Sequence, residues 1–116
     1  GLDRVGGRIL RVYRTSVQAE AIKKWEGRAL EPLGRLAARE GVLTVAAGVE
    51  VEAGGTVSRA GRTHVVVLTV WTEWDLLLAA TGGHLTRSLM GTDLADLERP
   101  ATADHFELLE VEPRLG

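Results

Sequence analysis

The sequence predicts an α+β fold whose elements follow the order strand, helix, strand, strand, helix, strand. Apolar residues alternate with period two in four stretches, and they recur at helical spacing in two others. Two consecutive strand–helix–strand units with right-handed crossovers place both helices on one face of a four-stranded antiparallel sheet. The predicted strands are residues 8–17, 42–52, 63–71 and 104–112.

Length and composition indicate a single domain over residues 1–116, with residues 1–7 as a flexible N-terminal arm and residues 8–112 as the folded part. The 14 Lys and Arg residues nearly balance the 16 Asp and Glu residues. The arginines near the N-terminus are scattered, so we expect them to be solvated. A nucleic-acid partner is not expected, because its footprint needs a denser positive face.

The chain contains no cysteine, which excludes disulfides and thiolate catalysis and fits a cytoplasmic protein. Its three histidines lack the short spacing of a metal pair on a helix, so we expect no metal and no bound cofactor. No apolar run approaches the roughly 20 residues of a membrane span, and no membrane partner is expected.

The first predicted strand places Ile9, Arg11, Tyr13, Thr15 and Val17 on one face, because side chains alternate along a strand. Helical spacing follows over the next segment.

That helix is predicted over residues 18–40. Ser16, or a capping box of Thr15 and Gln18, is expected to begin it. Pro32 predicts a kink or a break into two helices, because proline cannot donate to the preceding turn.

Gly41 is expected to end this helix as its C-terminal cap. The second strand then has Leu43, Val45 and Val49 on its apolar face. Glycines within residues 53–62 predict a hairpin loop to the third strand.

The third strand is apolar on both faces, since Val65 and Val67 point one way whereas Val66 and Leu68 point the other. Thr72 is predicted to cap the helix that follows it. A strand that is apolar on both faces needs cover on both, and the two helices supply cover for one. We therefore expect a homodimer in which a second copy stacks on the open face across a two-fold axis.

Two segments of this arrangement resemble the antibiotic-biosynthesis-monooxygenase-like domain of the dimeric α+β barrel superfamily. One is VVVLTVWTEWDLLLAATGG, in which Val70–Trp71 ends the third strand, and the other is DHFELLEV, which contains His105–Phe106. The resemblance covers residues 8–112. It implies a ferredoxin-like βαββαβ subunit that forms a dimeric α+β barrel, with a ligand cavity between the sheet and the helices of each subunit.

Proteins of this kind include cofactor-free oxygenases acting on polycyclic aromatics, quinol oxygenases and haem-degrading enzymes. Haem degradation in these relatives uses an asparagine from the first strand. This chain contains no asparagine, which argues against that activity.

Three tryptophans are the candidate substrate-binding residues. The resemblance implies that Trp71 forms an aromatic wall for a flat substrate, and Trp74 and Trp25 lie on apolar helix faces. The alternative for each is core packing, which large aromatic side chains also serve.

The candidate catalytic residues are His84, His105 and Tyr13. Each could transfer a proton at a cavity: His84 from the loop after Gly82–Gly83, His105 from the fourth strand and Tyr13 through its phenol. The alternative is a structural or solvated role for each.

Glu98, between the second helix and the fourth strand, is expected in a polar surface turn.

The sequence therefore predicts a cofactor-independent monooxygenase that acts on an aromatic or quinone-type small molecule. The alternative is a non-catalytic small-ligand-binding or stress-related dimer of the same fold. A titratable group and a tryptophan facing one cavity would favour the enzyme, whereas an interior filled by Ile22, Leu33 and Leu77 would favour the alternative.

Overall fold

A computed structural model of the chain describes residues 7–51 and 61–109. The element order is the predicted βαββαβ order. The strands are β1 (Ile9–Gln18), β2 (Val42–Val49), β3 (Arg62–Trp71) and β4 (Thr102–Glu107), and the helices are α1 (Ile22–Ala37) and α2 (Trp74–Thr81).

Three predicted segments fall partly outside the described residues. The part outside is residues 1–6 of the N-terminal arm, residues 52–60 of the β2–β3 hairpin loop and residues 110–112 of the predicted fourth strand.

The four strands form one antiparallel sheet in the order β2-β3-β1-β4. β1 is one of the two inner strands, and its Tyr13 pairs with Val67 of β3 on one side and with Ala103 of β4 on the other. The predicted four-stranded ferredoxin-like α+β fold is confirmed.

Both helices pack on one face of the sheet. Val65 and Trp71 of β3 are fully buried there, and the core includes Trp25 of α1 and Leu77 of α2. The β1 side chains on this face are the predicted ones, and all are buried: Ile9, Arg11, Tyr13, Thr15 and Val17.

The opposite face of the sheet, which we call the open face, carries apolar side chains from β1, β3 and β4. Leu10, Val66, Leu68 and Val70 are half-buried, and Phe106 is 50% exposed. Because α1 and α2 both lie on the other face, they cover Val65 and Val67 of β3. They do not cover Val66 and Leu68, which lie on the open face.

The start of α1 differs from the prediction. A 3-10 turn over Ala19–Ala21 precedes the helix, and neither element has a side-chain cap. The two hydroxyls predicted as caps have other partners: Ser16 Oγ accepts from Arg62 Nε at 2.8 Å, and Thr15 Oγ1 donates to the carbonyl of Arg99 at 2.6 Å.

The predicted break into two helices at Pro32 is wrong, because α1 continues through it, whereas a kink at Pro32 stays a prediction. Proline removes one donor from the helix, and Pro32 is buried together with Ala29 and Leu36. The helix ends at Ala37, before the predicted cap. Gly41 lies in the turn into β2 with φ 87°, a conformation that favours glycine.

The predicted face of Leu43 and the predicted N-cap of α2 are also wrong. A register shift after Val42 turns Leu43 outwards, where it is 49% exposed, and Val42 takes the position opposite Trp71. The N-cap of α2 is Glu73 instead of Thr72, because the extended backbone continues one residue further.

Candidate functional site

A charged side chain lies near the middle of the helix-covered face of β1. Arg11 is 2% exposed, and its Nη2 donates to the main-chain oxygens of Leu85 at 3.0 Å and Arg87 at 2.5 Å. Its Nε is buried and has no hydrogen-bond partner in the described part of the chain. The prediction of solvated N-terminal arginines is therefore wrong for Arg11, because the segment after α2 folds over it.

His105 of β4 lies opposite Arg11 in the sheet register, so both side chains are on the helix-covered face. Within residues 7–51 and 61–109, the buried Nε2 of His105 also has no hydrogen-bond partner. Burial lowers the pKa of His105, the Arg11 charge lowers it further, and Asp104 opposes the shift. The surroundings of the imidazole therefore favour its uncharged form.

Two tryptophans lie near this pair. Trp74, the first residue of α2, contacts His105 edge-on, with ring centroids 5.3 Å apart and ring planes at 90°. Both side chains are half-buried. Trp71 is fully buried, and its Nε1 donates at 2.8 Å to Oγ1 of Thr69, which lies opposite Arg11 on the β3 side.

A hydrogen-bonded junction between β1, α1 and the chain before β4 centres on Glu98. Tyr13 Oη donates to Glu98 Oε1 at 2.9 Å, and Trp25 Nε1 donates to Oε2 at 2.8 Å. Burial raises the pKa of Tyr13 to about 12, and the charge of the Glu98 carboxylate and its hydrogen bond add to the shift. The prediction of a surface turn is wrong for Glu98, because its carboxylate joins β1 to α1. Arg11 lies 5.3 Å from the Tyr13 ring centroid and so adjoins this junction.

The chain between α2 and β4, which we call the 82–101 segment, closes the interior. Met90 and Leu94 are buried in the core. Ion pairs tie the segment to α1: Arg28 Nη1 lies 3.0 Å from Asp96 Oδ1, and a second, more exposed pair joins Arg35 to Asp93 at 3.5 Å. The Arg28 hydrogen bond holds the pKa of the Asp96 carboxyl below its usual value.

The structure separates the three candidate catalytic residues. Tyr13 and His105 face the interior, whereas His84 is exposed after α2, with its backbone N–H bonded to the carbonyl of Thr81 at 3.1 Å. All three candidate tryptophans contribute to the interior: Trp71 and Trp25 are buried, and Trp74 is half-buried. Their catalytic and binding roles stay predictions.

Aliphatic side chains fill much of the same interior. Leu77 is fully buried, and Ile22 and Leu33 pack against the core. A groove of about 440 Å³ lies at the polar end of the open face, where its lining includes Arg14 and His64.

Two further searches cover residues 7–51 and 61–109 alone. No three His, Asp or Glu side chains in these ranges are grouped so that they could hold a metal ion. No helix in this part of the chain is long and apolar enough to cross a membrane.

The fold defines the class as a ferredoxin-like α+β protein. No family model matches the sequence, and no curated protein matches it either. Solved structures do match. A proposed antibiotic biosynthesis monooxygenase from Deinococcus radiodurans is 14% identical, with a TM-score of 0.64, over 93% of this chain and 99% of that chain.

Two other solved structures extend the comparison. SnoaB, a cofactor-independent oxygenase from Streptomyces nogalater, is 18% identical with a TM-score of 0.62, covering 93% of this chain and 99% of that chain. A dimeric protein of unknown function and ferredoxin-like fold from Bacteroides fragilis is 13% identical with a TM-score of 0.64, covering 88% and 97%. The predicted resemblance to antibiotic-biosynthesis-monooxygenase-like proteins is thus confirmed at the level of the fold.

Proposed function

We propose that this protein is a cofactor-independent monooxygenase that acts on an aromatic or quinone-type small molecule beside Arg11, His105 and Trp74. The contact between Trp74 and His105 carries the proposal, because it puts an aromatic ring beside an imidazole whose lowered pKa favours the uncharged form. The fold shared with SnoaB, a cofactor-independent oxygenase, supports it.

The reaction needs a substrate that itself reduces oxygen. For a reduced substrate SH2, the balance is SH2 + O2 → SO + H2O, so the substrate supplies every electron. The protein has to bind and orient the substrate, exclude water and accept the proton that the substrate loses before it reacts.

His105 is the candidate best suited to accept that proton. Burial lowers its pKa, which favours the uncharged form, and its buried Nε2 has no hydrogen-bond partner within residues 7–51 and 61–109. Tyr13 is poorly suited to act as a base, because its raised pKa keeps the phenol protonated and Glu98 holds its proton. His84 is exposed, away from the buried cluster.

The three tryptophans are assigned different parts of the binding role. Trp74 is half-buried and available to a flat ligand, whereas Trp71 and Trp25 are buried and hydrogen-bonded, so they shape the walls behind it. A flat aromatic ligand would gain offset or edge contacts with these rings.

The close packing of the interior favours a second candidate function, a non-catalytic small-ligand-binding or stress-related dimer. Leu77 and Trp71 are completely buried, so a large ligand would require the 82–101 segment to move. A protein that only binds its ligand needs no proton acceptor.

We also propose that the protein is a homodimer whose subunits stack open face to open face and so complete a dimeric α+β barrel. Large exposed apolar patches are rare on monomers. The open face carries such a patch, in which Phe106 is 50% exposed and the apolar side chains around it are half-buried. The similar Bacteroides fragilis protein is described as dimeric. A cytoplasmic location stays a prediction from the lack of cysteine.

Oxygen uptake tests the proposed reaction. The wild type, His105→Gln and His84→Gln are mixed with a panel of aromatic hydroquinones in an oxygen electrode, and tryptophan fluorescence measures binding of the same compounds. We expect catalysed uptake that falls 10²-fold or more in His105→Gln, the usual effect of losing a general base, and is unchanged in His84→Gln. Binding without uptake would establish the second function instead, and equal rates in both variants would reject His105 as the base.

A further inference from the structure

We propose that Tyr13 and Trp25 form a redox-active pair that reduces oxygen-centred radicals, with the Glu98 carboxylate as the proton acceptor for both rings. The reactant is a one-electron oxidant of the kind that escapes when a substrate reacts with oxygen. The inference rests on the proposed function for the source of these radicals, whereas the chemistry of the pair needs no bound substrate. Its test is therefore independent of oxygen uptake.

The hydrogen bonds of the two rings carry the inference. Tyr13 Oη donates to Glu98 Oε1 at 2.9 Å, and Trp25 Nε1 donates to Glu98 Oε2 at 2.8 Å. A phenol and an indole have one polar hydrogen each, and here both hydrogens go to oxygens of the same carboxylate. Hydrogen bonds to an ionised carboxylate are the stronger kind. Each ring therefore has an acceptor in place for the proton that it loses on oxidation.

Burial makes that acceptor necessary. Trp25 is 2% exposed and Tyr13 is 5% exposed, so neither ring has much contact with water that could take a proton. Removal of an electron alone would leave a buried radical cation, and an unpaired buried charge is costly. The guanidinium of Arg11, 5.3 Å from the centroid of the Tyr13 ring, adds repulsion to this cation. The electron therefore leaves when the proton moves to Glu98.

The protonation state and position of Tyr13 agree with this role. Burial raises its pKa to about 12, so the phenol keeps its proton at neutral pH. A phenol in this state is a poor base, but it can give an electron and a proton together. Its ring also adjoins the proposed reaction site through Arg11. A radical released there meets Tyr13 before it reaches the outer parts of the fold.

The electron and proton balance of the step is complete. An oxygen-centred radical RO• gains one electron and becomes RO⁻, the phenol of Tyr13 becomes a neutral phenoxyl radical, and the Glu98 carboxylate becomes a carboxylic acid. Trp25 reacts in the same way through its indole N–H. An electron from Tyr13 then restores Trp25, because the tyrosyl radical is the more stable of the two, while Oε1 takes the phenolic proton and Oε2 returns one to the indole. One electron from an external reductant such as ascorbate, with the proton returning from Glu98, restores the pair.

Flash photolysis with tris(bipyridine)ruthenium as the source of a one-electron oxidant tests the pair on the full chain. Electron paramagnetic resonance of frozen samples identifies the radical, and transient absorbance gives its rate of formation. Because Tyr13 is the single tyrosine of the chain, any tyrosyl signal belongs to it. We expect a tyrosyl radical in the wild type, formed more slowly in heavy water because the proton moves with the electron.

Variants locate the proton acceptor and the second ring. Glu98→Gln should form the tyrosyl radical roughly 10²-fold more slowly, the usual effect of removing a positioned proton acceptor, whereas Glu40→Gln, at an exposed position, should not change the rate. Tyr13→Phe should give a tryptophan radical instead, and the addition of Trp25→Phe should remove it. Circular dichroism checks that each variant is folded. If Glu98→Gln does not fold, the heavy-water effect in the wild type and the radical in Tyr13→Phe decide.

The outcomes separate this inference from the proposed function. No tyrosyl radical in the wild type, or equal rates in wild type and folded Glu98→Gln, would overturn the inference. A wild-type rate that is the same in light and heavy water would also overturn it. A tryptophan radical that persists in the double variant would reject Trp25 as the second ring. The expected tyrosyl radical in a protein that catalyses no oxygen uptake would reject the proposed oxygenation and support the pair.

Discussion

The phenol of Tyr13 and the indole of Trp25 donate to opposite oxygens of one carboxylate, that of Glu98, at 2.9 Å and 2.8 Å. Tyr13 belongs to β1, Trp25 to α1 and Glu98 to the 82–101 segment, so three parts of the fold meet at a single ionised group. This junction holds the segment that covers Arg11.

Titration of the phenol tests the junction directly, because Tyr13 is the single tyrosine of the chain. We expect its ultraviolet ionisation to show a pKa of about 12 in the folded protein, compared with about 10 after unfolding. Glu98→Gln should lower the folded value, because it removes the negative charge. A value near 10 in the folded wild type would show that the phenol is not held as described.

The same shift has a consequence for stability. The folded protein keeps the phenolic proton to a higher pH than the unfolded chain, so the free energy of unfolding should fall as the pH rises from about 10 towards 12. The contribution is fully present below pH 10, and Tyr13→Phe should flatten this part of the profile.

Glu98→Gln is expected to lower the free energy of unfolding at neutral pH by about 1–3 kcal/mol, because it replaces one of the two accepting oxygens by an NH2 group, which cannot accept, and so leaves one buried hydrogen bond unmade. Urea denaturation measures the effect. Glu40→Gln, at an exposed position, is the matched control and should change stability by no more than about 0.5 kcal/mol. Equal effects of the two substitutions would refute the structural role of Glu98.

His105 should titrate below the usual histidine pKa of about 6.5. Nuclear magnetic resonance of the imidazole resonances measures it, with Arg11 and Asp104 as the charged groups that act on this ring. Arg11→Met should raise the value, because it removes a neighbouring positive charge, and Arg14→Met should not.

The sign of the His105 shift fixes its effect on stability. The unfolded chain binds the proton more readily, so the contribution of His105 is fully present above about pH 6.5 and is lost as the pH falls from there through the lower pKa of the folded protein. A His105 pKa at or above 6.5 in the folded protein would contradict both the burial of the ring and its assignment as an uncharged base.

The open face should determine the oligomeric state. We expect sedimentation equilibrium of the wild type at micromolar concentration to give twice the chain mass of 12.5 kDa. Leu68→Glu places a charge in the middle of the open face and should give a monomer. Leu30→Glu replaces a leucine that is 73% exposed on α1 and should leave the dimer intact; a wild-type monomer would reject the proposed stacking.

Much of the fold follows from periodicity. Alternation correctly assigned the faces of β1 and β3, because a strand with period two has only two ways to point a side chain. The errors fall at element ends: Thr72 and Ser16 were expected to cap helices, and Leu43 was placed on the apolar face, although a one-residue shift reverses a side chain. Such boundaries depend on tertiary hydrogen bonds that a local pattern does not contain.

The site was predicted less completely than the fold. Trp74 and His105 were chosen from the sequence, but Arg11 was expected in solvent. Its signal was present, since it occupies a position on the buried face between Ile9 and Tyr13. Its hydrogen-bond partners are main-chain carbonyls far away in sequence, and Leu85 is 74 positions from Arg11. Every residue has a main-chain carbonyl, so the sequence does not show which one Arg11 contacts.

The position of a bound ligand tests the central claim most directly. The chain has three histidines and three tryptophans, so one set of imidazole and indole resonances reports on both the interior and the open face. Addition of 2-hydroxy-1,4-naphthoquinone should shift the resonances of His105 and Trp74 and leave those of His64 and His84 unchanged. Shifts at His64, which lines the groove on the open face, with His105 unaffected would contradict the account.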